Sequence, residues 1–129
     1  MKTLTFPALM LLILSGCATV TPSPEDGKSV VELKAQAGNE LTARRLDTKP
    51  ASSLSHFQVT GGTHTLEVGL VRAGYRDSQR RCVGTVSYGA FMPNQRYALI
   101  ENTVGESVRL ALVDDQGATV ARTDQVACL

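Results

Sequence analysis

Apolar residues recur at every second position through most of this chain, and that period commits it to β-structure. In residues 63–70, Leu66, Val68 and Leu70 fall on one side and Thr65 and Glu67 on the other, the alternation of a half-buried strand. Residues 82–91 repeat it, with Val86, Tyr88 and Ala90 sharing a face with Cys82. Residues 92–95 read as a turn and residues 96–101 as another strand. Residues 107–113 bring Val108, Leu110 and Leu112 into register. Asp114-Asp115-Gln116-Gly117 then reads as a hairpin turn, because Asp and Gly accept the backbone angles it needs. Residues 118–122 form its return strand, and residues 126–129 a closing edge. Residues 40–46 and 57–60 are weaker strand candidates, and residues 29–37 fit either a short helix or a first strand. Strands spaced by turns every eight to twelve residues, with no helical pattern after about residue 45, predict an all-β domain. The expected fold is a small antiparallel β-sandwich, immunoglobulin- or transthyretin-like, or a small barrel.

The amino terminus has a different character. Met1 and Lys2 precede an apolar run over residues 4–14, about half the length of a bilayer-spanning helix and the length of a secretory signal's apolar core. It ends in Leu14-Ser15-Gly16-Cys17, which resembles the lipobox of bacterial lipoproteins. The resemblance implies a signal peptide over residues 1–16 and acylation, palmitate included, of the Cys17 thiol. One acyl chain holds a protein to a membrane only marginally and several hold it durably. Ala18 after the cysteine implies outer-membrane delivery, with the domain facing the periplasm. Residues 17–29 contain Pro22, Pro24 and Gly27 and read as the lipidated cysteine with a flexible tether. This leaves residues 30–129 as one domain.

With Cys17 assigned to lipid, Cys82 and Cys128 remain of three cysteines. In an oxidising compartment the pair reads as a structural disulfide. A redox-active pair would more usually sit as Cys-x-x-Cys.

Gly61-Gly62-Thr63-His64-Thr65-Leu66-Glu67-Val68, with Ala73-Gly74-Tyr75 after it and Leu46-Asp47-Thr48-Lys49 before it, resembles the histidine-containing strand, the Gly-Tyr ending and the Asp-Gly turn of PEGA-type domains. It covers residues 43–76. Thr48 stands where the family pattern has the turn glycine, and Gly61 where a proline is frequent. The resemblance implies a compact β-sandwich serving as a binding or scaffolding module at the bacterial surface.

Residue chemistry points away from catalysis. His56 and His64 are the only histidines, and neither lies in a nucleophile motif. His64 is expected to be a strand-end side chain that is hydrogen-bonded or half exposed, and His56 a solvent-facing loop residue. Two histidines without paired cysteines make no zinc set. Asp114 and Asp115 lack the alternation of a calcium loop. Glycoside hydrolysis requires two placed carboxylates; Glu67 and Glu101 could meet across strands, but any β-protein offers such pairs. No phosphate or dinucleotide fingerprint is present, so no cofactor is expected. A net charge of +1, no tryptophan and 5% aromatic residues argue against nucleic acid as a partner.

The most distinctive charged feature is residues 72–81, where Arg72, Arg76, Arg80 and Arg81 outnumber one aspartate around Tyr75. Arginine forks suit carboxylates and phosphates, although charges also keep a hairpin edge from pairing. The expected function is a non-catalytic accessory lipoprotein at the outer membrane. It would be anchored through its lipid and bind an envelope protein or peptidoglycan through Arg72, Tyr75, Arg76, Arg80 and Arg81. The alternative is a periplasmic inhibitor of a cell-wall hydrolase, though Ser87-Tyr88-Gly89-Ala90-Phe91 departs from the Ser-Gly-x-x-Tyr-like loop of lysozyme-inhibiting lipoproteins. An enzyme is the remote third reading.

Overall fold

The structure is a computed structural model that describes residues 22–74 and 78–129; Cys17, Tyr75 and Arg76 lie outside the described residues. Among those residues the alternation produces ten strands: β1 (Lys28–Lys34), β2 (Glu40–Leu46), β3 (Lys49–Pro50), β4 (His56–Thr60), β5 (Gly62–Ala73), β6 (Gln79–Phe91), β7 (Arg96–Glu101), β8 (Leu110–Val113), β9 (Thr119–Thr123) and β10 (Val126–Cys128). They form two open five-stranded sheets, ordered β4-β1-β7-β8-β9 and β10-β6-β5-β2-β3. The fold is a β-sandwich rather than a closed barrel. Residues 29–37, ambiguous in sequence, supply most of β1, an interior strand of the first sheet between β4 and β7.

The inward faces meet as one core. Leu66, Val68, Leu70 and Val86 of the second sheet face Val31, Phe57, Leu99 and Leu112 of the first. Full burial of each such side chain contributes roughly 1.5–3 kcal/mol. The disulfide joins Cys82 to Cys128, which oppose each other across β6 and β10.

Three details depart from the sequence reading. First, the pairing is antiparallel except that β1 and β7 run parallel. Between these strands the chain passes into the second sheet, returns for β4 and leaves again, giving the long crossover that parallel neighbours require. Second, Ala90 is exposed and Phe91 takes the buried position. Gly62 pairs with Phe91 but His64 with Tyr88, so β6 carries one extra residue there and the bulge inverts the alternation. Third, the tether placed at residues 17–29 overlaps the domain. β1 begins at Lys28, and Ser29 is fully buried, donating to the Met92 carbonyl and accepting from Gln95 N–H. Residues 22–25 also lie against the first sheet. The Pro22 carbonyl accepts from Arg96, and that of Ser23 from Gln58. Val30, which stands between Gln58 and Arg96 in register, is fully buried.

One buried charge closes the upper end of the first sheet. Glu101 is 3% exposed, and its carboxylate accepts from Gln36 N–H at 2.9 Å, from the Asn39 amide at 2.8 Å and from the Thr103 hydroxyl at 2.6 Å. Three donors offset its desolvation and hold the β1–β2 loop in place.

Candidate functional site

Strand alternation divides the basic stretch. Arg72 and Arg80 oppose each other across β5 and β6, on the face shared by Leu70 and Cys82. Arg72 extends past the core to donate to the Gly105 carbonyl at 2.9 Å. Arg81 falls on the opposite, outer face of the second sheet. Of the arginines proposed as one patch, the structure therefore takes Arg81 one way and Arg72 and Arg80 the other.

Arg81 borders a groove of about 760 Å³ on that outer face. The floor is a row of small residues running across four strands: Thr42, Gly69, Val83 and Ala127 are successive register partners. One bank carries Val71 and Arg81. The other carries Arg44 and Arg45, with the chain at Ala51 and Leu54 beyond them. That wall hangs on β2 by two backbone hydrogen bonds of 2.9 Å, from Ala51 N–H to the Arg44 carbonyl and from Ala43 N–H to the Leu54 carbonyl.

A bulge builds this bank. Ala43 pairs with Val68 and Arg45 with Glu67, so Arg44 is the extra residue, and bulges re-aim side chains. Arg44 lies over Gly69: a Cβ at Gly69 would stand 3.1 Å from both Arg44 Cδ and Thr42 Oγ1. Glycine here admits a close approach. Leu54 is 71% exposed at the rim.

The electrostatics are lopsided. Arg45 faces Glu67 at 3.7 Å, and Glu67 Oε2 is buried without a hydrogen bond. Among the described residues, no carboxylate lies within ion-pair distance of Arg44 or Arg81. Glu40, the other acid on this face, pairs with Val71 in register, one strand further from Arg81. The groove combines an apolar floor with two unpaired guanidinium forks, a combination suited to an anion with a small apolar body.

The histidines take other roles. His64 is hydrogen-bonded at its strand end, as expected. It bridges the Asp47 carboxylate (Nδ1, 2.5 Å) and the Thr60 carbonyl (Nε2, 2.9 Å), with the Thr60 hydroxyl at 3.1 Å. The order carboxylate, imidazole, hydroxyl matches a hydrolytic triad. A carbonyl at Nε2, however, makes that nitrogen a donor, whereas a general base needs its lone pair free. Asp47 also accepts from Thr65 N–H at 2.7 Å. Burial works against the Asp47 charge, but the His64 and Thr65 hydrogen bonds and the His64 and Lys49 charges outweigh it. Together they hold the carboxyl below its ordinary value. This cluster fastens the β2–β3 turn to β5. His56, expected in solvent, is half-buried at the start of β4 beside the Ser53 and Ser55 hydroxyls.

Glu67 and Glu101 do not meet: one lies on the outer face of the second sheet and the other is buried in the first. The Asp114 carboxylate accepts from Gln116 and Ala118 N–H, stabilising the hairpin read from sequence. Among the described residues, no three His, Cys, Asp or Glu side chains gather as a metal ligand set.

Sequence reasoning missed Arg44, Arg45 and Leu54. A signal for the first two was present: Leu41, Ala43 and Leu46 are spaced by two and then three, marking an extra residue at Arg44 or Arg45. Comparison with protein-family models, curated proteins and solved structures finds no match for this chain.

Proposed function

We propose that this chain is a lipid-anchored, non-catalytic binding module of the bacterial envelope, and that it meets its partner through the groove on the outer face of the second sheet. The observation that carries the reading is the groove: an apolar floor of short side chains, bordered by Arg44 and Arg81, neither with an acidic partner among the described residues. Among the described residues its lining offers charge and shape for recognition and no imidazole or side-chain carboxylate. The Leu14-Ser15-Gly16-Cys17 motif supports the anchor. The Cys82–Cys128 disulfide supports an oxidising compartment such as the periplasm.

Photo-crosslinking in cells tests both halves. A photoreactive residue at Leu54 is expected to give a discrete adduct or a peptidoglycan-linked smear. The same probe at Gln116, on the remote hairpin, is expected to give neither. Labelled palmitate is expected on the native chain and absent from Cys17→Ser. Equal adducts from both positions would overturn the groove as the contact surface, and palmitate retained in Cys17→Ser would overturn the anchor.

A further inference from the structure

Resting on the reading of the groove as a binding surface, we propose its occupant: a short extended peptide with a free carboxylate and alanine-sized side chains, the chemistry of the peptide stems of a bacterial cell wall.

The floor sets the size. Thr42, Gly69, Val83 and Ala127 cross from β2 through β5 and β6 to β10. Three strand spacings of about 4.8 Å make a trough of roughly 14 Å, the span of about four extended residues at 3.3 Å each. At the middle of the trough Gly69 carries no side chain, and the Arg44 stem and the Thr42 hydroxyl close over it. Arg44 Cδ, 3.1 Å from where a Cβ would stand, limits what fits beneath it. A methyl side chain of the ligand reaches the middle of the floor when the flexible Arg44 stem gives by a few tenths of an ångström, and a bulky one would have to displace Arg44 outright.

Charge sets the chemistry. Arg44 and Arg81 stand on opposite banks, each free of a carboxylate partner among the described residues. A planar fork pairs with a carboxylate through two parallel hydrogen bonds. Val71 and Val83 supply apolar contact between the forks. Among the described residues no aromatic side chain lines the groove, so these residues give a sugar ring no stacking surface. That singles out the peptide part of a glycopeptide polymer. A periplasmic module held near the membrane by a short tether would meet that polymer at high local concentration.

The test uses the purified mature protein with its disulfide intact. Titration with tri-alanine carrying a free carboxylate, followed by NMR, is expected to shift the Val71, Val83 and Leu54 methyls and the Arg44 and Arg81 Nε–H signals saturably. The carboxamide of the same peptide is expected to bind about tenfold more weakly or worse, as loss of a charge-assisted pair predicts. Arg44→Gln and Arg81→Gln, both exposed substitutions that leave the melting temperature in place, are each expected to weaken binding about tenfold. Gly69→Leu is expected to abolish it by filling the floor. Purified cell-wall sacculi are expected to cosediment the protein, with a several-fold smaller pellet for the double arginine variant. The proposal is overturned if the carboxamide binds equally well, if shifts map away from the groove, if inorganic phosphate or octanoate displaces the peptide at equal concentration, or if the sacculi leave the protein in solution. An adduct from Leu54 in cells without peptide binding would overturn this occupant and leave the binding-module reading standing.

Discussion

Replacing Thr48 with glycine is expected to stabilise the domain. Leu46 pairs with Lys49, so Asp47 and Thr48 alone connect β2 to β3, and both have positive φ, 50° and 71°. A two-residue hairpin loop of this kind needs φ above zero at both central positions, and the favoured pair is Asp or Asn followed by Gly. Asp47 satisfies the first position, and its carboxylate is held by His64 and Thr65 N–H. Thr48 does not satisfy the second, since a β-branched residue in the left-handed region is an outlier costing roughly 1–2 kcal/mol. Its side chain is exposed, so truncation forfeits little packing. Glycine removes that strain but loses about 0.5–1 kcal/mol of unfolded-state entropy. The net gain is about 1 kcal/mol, or roughly 4–8 °C in melting temperature for a domain near 100 residues. Thermal unfolding followed by circular dichroism measures it, with Thr48→Ala as the control that keeps a Cβ at positive φ and gains much less. A Thr48→Gly protein no more stable than its parent, or an alanine variant equal to it, would refute the argument.

The other expectations concern charge and covalent linkage. Glu101→Ala leaves Gln36 N–H, the Asn39 amide and the Thr103 hydroxyl without their acceptor. It should cost about 2–3 kcal/mol, read as a lower urea midpoint, and an unchanged midpoint would contradict the network's role. Asp47 is held below its ordinary carboxyl range, against burial, by its His64 and Thr65 contacts. Its stabilisation is therefore complete above that range and lost as pH falls through the lowered folded value. The acid limb of a stability–pH curve should flatten in Asp47→Asn, and parallel curves would remove Asp47 as the cause. Cys128→Ser opens a loop of 46 residues, which loop-closure entropy values at about 4 kcal/mol at most. It should also release β10, so amide exchange at Ala127 and Leu129 should rise more than at Val68; uniform acceleration would count against β10 as the separable element.

How much of the fold could be read in advance depended on what alternation encodes. It reports which face a residue takes and little about direction. The strands with long period-two runs, β5 and β8, declared their buried residues in advance, and Leu66, Val68, Leu70, Leu110 and Leu112 all reach the core. The parallel pairing of β1 with β7 left no local mark, because it follows from how many times the chain changes sheets between them. The exchange of Ala90 for Phe91 had the opposite cause. It is local, but a bulge adds one residue to β6 opposite Gly62 and His64, and a strict period of two carries every later residue to the wrong face.

The same property explains the site. A run of arginines in sequence is not a patch on a strand, because neighbours point to opposite faces. Arg80 and Arg81 are adjacent in the chain and separated by the sheet. A patch on a sheet is assembled sideways, from residues whose sequence distance is set by hairpin length. Arg81 on β6 and Arg44 on β2 border one groove although 37 positions separate them. Two irregularities complete it: an extra residue that places Arg44 out of phase with Ala43, and a glycine at position 69 that breaks the side-chain row beneath it. Each is a local departure from good strand chemistry. Glycine in a strand interior weakens it, and a bulge forfeits ladder hydrogen bonds. A sandwich with a fully formed core does not need either one. Their coincidence on one stretch of the outer face, beside two arginines with no acid in ion-pair distance among the described residues, is the departure from strand regularity on which the proposed contact surface rests.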